Sequence, residues 1–255
     1  MNALLALRWI AVWRRNFLVW RKLALPSVLG NLADPMIYMF GLGYGLGSLL
    51  PQVAGVPYIS FLAAGTLCAS TMNSASFEAL YSAFSRMHVQ KTWDAMLNAP
   101  VALEDVVAGE WIWAATKALF SGSAILLVVW ALGLTESSQL LWVLPLIFLL
   151  GLCFSAMGLI VTTLAPSYDF FMFYFTLLIT PMTLLSGVFF PLSQLPPPLQ
   201  AVAQALPLTH AVALVRPLLL GELPPSPLLH VAVLATIALT AFAIALKLAQ
   251  RRLLA

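Results

Sequence analysis

The sequence contains few charged residues. Only 8% of its 255 residues are Asp, Glu, Lys or Arg, whereas 62% are hydrophobic. A soluble domain carries about 25% charged residues, and a water-soluble fold of this size cannot hide so much apolar surface. This scarcity of charge excludes a soluble protein and predicts that lipid is the solvent. The net charge of +3 is too small to indicate a nucleic-acid partner.

Cysteine and histidine are also scarce. Cys68 and Cys153 lie inside apolar runs, so we interpret them as buried thiols and not as a disulfide or metal pair. His88, His210 and His230 are scattered and show no metal-ligand spacing. Because no Ser/His/Asp or Cys/His set is recognisable either, we expect no catalytic residues, no metal site and no enzyme activity in this chain.

A phosphate-binding loop is missing from the sequence. No G-x-x-x-x-G-K-[ST] stretch occurs, so the chain supplies no Walker-type phosphate cradle. The stretch GLGYGLG at 41–47 does not replace it, because its glycines recur at every second residue and lack the G-x-G-x-x-G spacing. Its small-xxx-small pairs favour close helix packing or helix bending.

Long apolar segments dominate the sequence instead. Six such segments occur, and each is long enough for a helix that crosses about 30 Å of hydrocarbon. None alternates apolar and polar residues as the strands of a membrane β-barrel do, and helices satisfy the backbone in lipid. The sequence therefore predicts an all-α membrane protein in which residues 1–255 form a single domain with six transmembrane helices. The predicted spans are 27–49, 58–84, 108–134, 140–165, 169–190 and 227–247.

The N-terminal segment 1–24 predicts an interfacial helix and not a cleaved signal peptide, since arginines interrupt its apolar residues. On a helical wheel its aromatic residues fall on one stripe and its cations on the opposite side, which is typical of a helix lying in the membrane interface. A charged start to the first span is the alternative. The stripe is Trp9, Trp13, Phe17 and Trp20, and the cations are Arg8, Arg14, Arg15, Arg21 and Lys22.

The distribution of Lys and Arg predicts the orientation in the membrane. Five of these residues precede the first predicted span, two lie between the second and third spans, and three follow the sixth. The connections on the other side contain only Arg216. Because cytoplasmic loops carry the excess of Lys and Arg, we expect both termini and the loop 86–107 to face the cytoplasm.

The loop 86–107 is the most polar part of the chain. A short amphipathic helix over 89–97 groups apolar side chains on one face, before Pro100 ends it. Such a helix suits a groove on a soluble partner, which predicts a coupling helix. A solvated connector that binds nothing is the alternative. The residues predicted to contact a partner ATPase are Val89, Gln90, Lys91, Thr92, Trp93, Asp94, Met96 and Leu97.

Segment 191–222 is rich in proline and half polar. Its prolines break it into two predicted short helices, Leu199–Leu206 and His210–Leu220, with Thr209 as a cap of the second. Irregular backbone at membrane depth needs cover from protein or water. We therefore predict re-entrant helices in the outer leaflet, with an ordinary external loop as the alternative.

Three stretches resemble the membrane subunit of ABC-2 type exporters, and within that family the nodulation protein J branch of lipo-oligosaccharide exporters. The resemblance extends over nearly the whole chain, and the third stretch is the most specific. The stretches are MNSASFEALYSAF at 72–84, QKTWDAMLNAPVALEDVVAGE at 90–110 and LLSGVFFPLSQLPPPLQAVAQALPLTHAVALVRPLLLG at 184–221.

The resemblance implies a permease subunit that works as a homodimer with two copies of a separate ABC ATP-binding subunit, which holds ATP and Mg. It also implies six spans, an interfacial helix, a coupling helix and re-entrant helices. The implied activity is ATP-driven export of an amphipathic substrate, a lipid-linked saccharide or lipo-oligosaccharide, across the bacterial inner membrane. Export of a drug or other hydrophobic small molecule is an alternative, and so is an ATP-independent channel or a membrane scaffold.

Charged residues within or beside the apolar runs are candidates for function, because such charges are costly in a membrane. Glu110 and Lys117 are seven residues apart and share a helix face, so they can pair or bridge to neighbours. Simple placement near the cytoplasmic interface is the alternative for Asp34 and Glu110. Glu78 lies among small polar residues, which fits either a transport path or a helix contact. Aromatic side chains suit sugar rings or acyl chains. The candidate path residues are Tyr38, Tyr44, Asn73, Glu78, Phe189 and Phe190.

Overall fold

A computed structural model describes residues 7–135 and 138–253 of the chain. Helices predominate in these ranges, and a short antiparallel hairpin joins β1 (Gln52–Val53) to β2 (Val56–Pro57). This predominance of helices confirms the prediction of an all-α membrane protein. The helices are α1 (Trp9–Trp20), α2 (Ala24–Gly45), α3 (Tyr58–Phe77), α4 (Thr92–Leu97), α5 (Leu103–Ala131), α6 (Val143–Leu164), α7 (Phe170–Tyr174), α8 (Thr180–Leu185), α9 (Pro197–Gln204), α10 (Pro207–Leu219) and α11 (Pro227–Leu253).

Shorter helical segments of other types connect these elements. The stretches of π-helix are Glu78–Ser82, Ser85–Val89 and Phe175–Ile179, and the 3-10 turns are Arg21–Leu23, Leu46–Ser48, Ser138–Trp142 and Leu192–Gln194. The first two π segments continue α3 toward the loop that bears α4. The third joins α7 to α8.

Three helices in the described ranges are long and apolar enough to cross a membrane: α5, α6 with its preceding turn, and α11. The pair α9 and α10 meets the same test only together, with a bend of 87° between its two parts. Helices α2 and α3 coincide with two further predicted spans, but Asn31, Asp34 and several Ser and Thr residues make them more polar. The arrangement of six spans stays a prediction.

Small residues bring the central helices close together. Helix α6 packs against α3, α5 and α11, and α3 packs in turn against α2, α5 and α10. A Cβ atom built on Gly151 of α6 would lie 3.0 Å from the Cα atom of Ala115 in α5. One built on Gly158 would lie 2.8 Å from the Cβ atom of Ala79. Such contacts are typical of helix packing in membranes, where small residues let backbones approach.

The aromatic stripe of α1 packs on α5, and the location of α1 in the membrane interface stays a prediction. Trp20 stacks on Phe120 with ring centroids 5.1 Å apart, and Trp13 meets Trp113 edge-on at 6.5 Å. The indole N–H of Trp13 also donates to Thr116 Oγ1 at 3.1 Å. These rings are half-buried, with one side against the aromatic residues of α5. Residues 1–6 of the predicted segment 1–24 lie outside the described residues.

Proline starts both short helices of the 191–222 segment. Pro197 and Pro207 occupy the first helical position, where the missing N–H costs nothing. Thr209 therefore lies inside α10 and is not its cap, which corrects the sequence interpretation. Its buried Oγ1 has no hydrogen-bond partner among the described residues. The two helices occur close to the predicted positions, while their place in the outer leaflet stays a prediction.

A histidine pair joins α10 to α11. The Nδ1 atoms of His210 and His230 lie 2.8 Å apart, and His210 Nε2 lies 3.0 Å from the carbonyl oxygen of Gln204. Since a carbonyl only accepts, the Nε2 atom of His210 is the donor in the second contact. Cys68 and Cys153 are free and buried, as predicted.

We expect Gly109→Ala to destabilise the fold by about 1–3 kcal/mol, because a side chain there overpacks the α1–α5 contact. The added Cβ would lie 2.9 Å from the carbonyl oxygen of Trp9 and 2.5 Å from the Cβ atom of Val12. Thermal unfolding of the purified protein in detergent, followed by tryptophan fluorescence, measures the effect.

Gly41→Ala is the matched control for that substitution. Gly41 also lies in a helix, but a Cβ atom there meets nothing within 4 Å. Alanine has the higher helix propensity, so Tm should stay unchanged or rise. Equal Tm values for the two variants would contradict the described packing of α1 on α5.

Candidate functional site

A cavity of about 620 Å³ opens between α2, α3 and the α7–α8 segment. Helix α2 contributes Asn31, Asp34 and Tyr38 to its wall, and α3 contributes Asn73 and Phe77. These polar and aromatic residues share one face because helices repeat every 3.6 residues. The cavity therefore combines hydrogen-bonding groups with aromatic surface.

The wall opposite α2 ends in a tight turn after α8. Gly187 adopts φ +76°, a conformation that glycine reaches without steric cost, and the turn then brings Phe189 and Phe190 to the cavity. Arg216 of α10 donates from Nη2 to the Gly187 carbonyl oxygen at 2.7 Å. The hydroxyl of Tyr58 donates to the Phe189 carbonyl oxygen at 3.1 Å. Helices α3 and α10 thus hold the turn in place.

Four of the predicted path residues meet at this cavity: Tyr38, Asn73, Phe189 and Phe190. The rings of Tyr38 and Phe189 lie 5.7 Å apart, so they approach each other from opposite walls. The other two predicted residues do not line it. Tyr44 is exposed and stacks on the ring of Phe40, and Glu78 belongs to a separate group of charges.

Four charged side chains gather at the end of α3, and we call Glu78, Arg86, Glu110 and Lys117 the charge cluster. Arg86 donates from Nη2 to Glu78 Oε1 at 2.9 Å and from Nε to Glu110 Oε1 at 2.8 Å. Lys117 Nζ donates to Glu78 Oε2 at 2.7 Å. The two acids and two bases cancel in formal charge. Glu110 and Lys117 do not pair directly but bridge to neighbouring charges, Glu110 to Arg86 and Lys117 to Glu78, which is one of the two arrangements that the sequence left open.

The charge cluster lies inside the protein. Glu78 and Glu110 are 3% and 1% exposed, and Arg86 is 9% exposed. Burial alone disfavours the charge of Arg86, but Glu110 and Glu78 outweigh that effect and raise its pKa above the ordinary value. Charges buried this deeply are tolerated only when they are paired and hydrogen-bonded. Each member therefore depends on the others.

The π-helical segments explain how Glu78 and Arg86 meet. They are eight residues apart, and in a regular α-helix that spacing places side chains about 80° apart around the axis. A π turn takes up an extra residue, which returns the later side chain to the face of the earlier one. Glu78–Ser82 and Ser85–Val89 are both π-helical, so the geometry required for the ion pair is built into this helix.

Two tryptophans complete the charge cluster. Trp113 of α5 donates from Nε1 to Glu78 Oε1 at 2.8 Å. Trp93 of α4 donates from Nε1 to Glu110 Oε1 at 3.2 Å. Arg86 and Trp113 were not predicted as members of a site. Trp113 shares a helix face with Glu110 and Lys117, but its hydrogen bond goes to Glu78 of another element, which helical spacing does not reveal.

The burial of Trp93 corrects the predicted exposed apolar face of α4. Its side chain is fully buried, and Met96 and Leu97 also pack against the core. The reason is the carboxylate of Glu110, which offers the indole N–H a partner inside the protein. Helix α4 begins at Thr92, after Lys91 adopts a left-handed conformation with φ 52°.

The outward side of the predicted coupling segment is mostly polar. Val89 is 63% exposed, and Gln90, Lys91 and Asp94 are also exposed, whereas Thr92 is half-buried. Lys91 and Asp94 form an exposed ion pair of 3.9 Å. These side chains are available to a partner, and their predicted role in coupling stays a prediction. No group of three or more His, Cys, Asp or Glu that suits a metal occurs among residues 7–135 and 138–253.

Comparisons with known proteins cover nearly the whole chain. Residues 4–220 match the family described as ABC-2 type transporter. Nodulation protein J of Rhizobium leguminosarum bv. viciae is 50% identical over 248 residues, which cover 97% of this chain and 96% of that protein. Nodulation protein J of Rhizobium meliloti (strain 1021) is 50% identical over 250 residues, with 96% and 94% covered.

A more distant relative comes from Escherichia coli (strain K12). Its inner membrane transport permease YadH is 24% identical over 212 residues, which cover 81% of this chain and 82% of that protein. The similarity to all three proteins runs over most of each chain and is not confined to one segment.

We expect Glu110→Gln to lower the free energy of unfolding by about 3–5 kcal/mol, because Arg86 is then left without one of its buried carboxylates. Thermal unfolding in detergent is the measurement. Asp94→Asn is the control, since it removes an exposed ion pair whose contribution is about 1 kcal/mol or less.

A double-mutant cycle tests whether the cluster acts as a unit. Arg86→Gln leaves a net negative charge in the cluster and Glu110→Gln leaves a net positive one, whereas the double substitution restores neutrality. We therefore expect the double variant to lose less stability than the sum of the two single variants. Additive losses would mean that Arg86 and Glu110 contribute independently.

Proposed function

The chain belongs to the ABC-2 type transporter family, and from that premise we propose that it is the permease subunit of an ATP-driven exporter. Two copies of this chain act with two copies of a separate ABC ATP-binding subunit, which holds ATP and Mg. The assembly lies in the bacterial inner membrane with both termini of this chain in the cytoplasm. The chain itself catalyses no reaction.

The cargo is an amphipathic molecule with a saccharide headgroup. The cavity of about 620 Å³ falls within the size range of about 300–1,000 Å³ that is typical of ligand sites. Asn31 and Asn73 offer hydrogen bonds to hydroxyl groups, while the rings of Tyr38 and Phe189 suit the apolar faces of sugar rings. A drug-like hydrophobic cargo is the second candidate, favoured by the aromatic surface but not by the polar groups.

A continuous chain of contacts between α4 and the cavity carries the proposal. Trp93 of α4 donates to Glu110, Glu110 pairs with Arg86, and Arg86 pairs with Glu78. Glu78 directly follows Phe77, which lines the cavity. A displacement of α4 therefore reaches the cavity wall through buried, charged contacts that resist being broken.

In this mechanism the ATP-binding subunits meet the outward side of the 89–94 segment and move α4 when they close on ATP. Because Trp93 is anchored on Glu110, α4 pulls on the charge cluster and does not slide over it. Helices α3 and α5 then shift relative to α2, which changes the access to the cavity. Two packings of the same helices, selected by ATP, are sufficient for transport.

We expect Trp93→Phe to reduce transport by at least about tenfold, because it removes a hydrogen bond to a charged group that contributes about 1.5–3 kcal/mol. The full complex with its ATP-binding subunit is reconstituted in vesicles, and cargo movement and ATP hydrolysis are measured together. The phenyl ring still fills most of the buried site, so co-purification of the two subunits should persist.

Trp130→Phe is the matched control, since Trp130 is exposed at the other end of α5 and forms none of these contacts. Full transport by Trp93→Phe would contradict the proposed route. Transport without any ATP hydrolysis would instead support a channel, and failure of any ATP-binding subunit to co-purify would support a scaffold.

A further inference from the structure

One histidine joins the ends of three helices at the point where the chain bends by 87° between α9 and α10. His210 lies in the first turn of α10 and is only 6% exposed. Its Nε2 donates to the carbonyl oxygen of Gln204, the last residue of α9, where a helix leaves its final carbonyls unpaired. Its Nδ1 meets Nδ1 of His230 in the first turn of α11.

The contact within the histidine pair is the one hydrogen bond between α10 and α11 in residues 7–135 and 138–253. Helix α10 ends at Leu219 and α11 begins at Pro227, so the connection 220–226 returns the chain to the level of His210. The pair therefore closes this connection and fixes the start of α10 against the start of α11.

The number of bound protons decides whether this hydrogen bond forms. Because Nε2 of His210 donates to a carbonyl, the neutral ring has a bare Nδ1, which accepts from Nδ1–H of His230. One added proton still leaves one bare Nδ1 in the pair, so the bond persists. A second added proton places a hydrogen on both Nδ1 atoms, and neither atom then accepts.

Two further features oppose the doubly protonated pair. The ring centroids lie 5.0 Å apart, and two positive charges at that distance repel each other more strongly inside a protein than in water. Both rings also lie in the first turn of a helix, where the positive end of the macrodipole disfavours a cation. His230 is only half-buried, so protons reach the pair from solvent.

The helices packed around the pair carry no other group that titrates between about pH 5 and 8, the range in which histidine changes charge. Helix α10 contacts α3, α6, α8, α9, α11 and the turn Ser138–Trp142. Helices α8 and α9 and that turn contain no ionisable side chain. Helix α6 contains only Cys153, and α3 contains Tyr58 and Cys68, all of which stay neutral in acid.

The charged residues of the surrounding elements lie elsewhere. Arg216 of α10 donates to two backbone carbonyl oxygens, and the cations of α11 lie in its last two turns. The charged residues of α5, which also packs on α11, extend from Glu104 to Lys117, and Glu104 accepts from Gln250 at the far end of α11. Glu222 is the one acid in the connection 220–226 and is exposed.

We propose that the histidine pair is an acid-sensitive latch, which holds α10 against α11 until both rings are protonated and then releases them. The inference goes beyond the proposed function and does not depend on it. Release frees the start of α10 from α11. Because Arg216 of α10 supports the turn at Gly187 beside the cavity, acid thereby loosens one support of the cavity wall.

The test is hydrogen–deuterium exchange of the full chain in lipid nanodiscs at about pH 7.5 and about pH 5, corrected for the pH dependence of the chemical exchange rate. We expect the amides of residues 211–215 and 231–235 to exchange about tenfold faster or more at the lower pH, because a hydrogen bond to a charged group is lost. Exchange in α5 should stay unchanged.

Two variants identify the group that responds to acid. His230→Asn should abolish the response, because an amide offers both a donor and an acceptor and pairs with His210 in either protonation state. Glu222→Gln is the matched control, since it removes a nearby ionisable group outside the pair. It should keep the response of the wild type.

Equal exchange at the two pH values in the wild type would overturn the proposal. So would a response that persists in folded His230→Asn, that disappears in Glu222→Gln, or that EDTA removes, since a bound metal would then control the contact. If His230→Asn does not fold, ¹⁵N NMR of the histidine rings in the wild type decides the matter. The latch requires both Nδ1 atoms of the pair to be protonated at the lower pH, and a bare Nδ1 there would refute it.

Discussion

The fold depends on the burial of Arg86 between two carboxylates. Its guanidinium joins Glu78, at the end of α3, to Glu110 in α5. The two carboxylates are neutralised by Arg86 and Lys117 together. Removing the charges of Glu78, Arg86 and Glu110 from water costs more than most packing contacts return, so the arrangement is stable only when these groups are paired and hydrogen-bonded. For this reason α3, α4 and α5 hold a defined geometry in a protein whose other contacts are mostly non-directional.

The charge cluster and the cavity are two polar sites of different kinds. In the cluster each charge meets its opposite within the same chain, and the result is rigidity. In the cavity Asp34 is exposed and has no described counter-charge, so this carboxylate is free to accept hydrogen bonds from solvent or from a bound molecule. The two sites are adjacent along one helix, because Phe77 lines the cavity and Glu78 begins the cluster. The charge cluster and the cavity wall are therefore adjacent in the sequence.

The sequence predicted the parts of this structure that follow from periodicity and composition. Long apolar runs predicted the helices, and prolines predicted the helix breaks near Pro197 and Pro207. Four of the six predicted path residues line one cavity. The pairing of Glu78 with Arg86 was not predictable, because it depends on π-helical turns and no residue pattern in the sequence predicts them. The orientation of Trp93 was missed for a related reason: a helical wheel shows which side chains share a face, but not what that face meets.

The inward orientation of Trp93 determines how α4 would transmit force in the mechanism that we propose. An apolar residue exposed on a short helix binds a partner by complementarity, and the contact is lost when the partner leaves. A tryptophan anchored on a buried carboxylate makes α4 part of the membrane domain at all times. The partner then needs to engage only the polar outer side, through contacts weak enough to form and break in each cycle. In the proposed mechanism the strong interaction lies within the chain and the reversible one at the subunit boundary, which is the order that repeated transport requires.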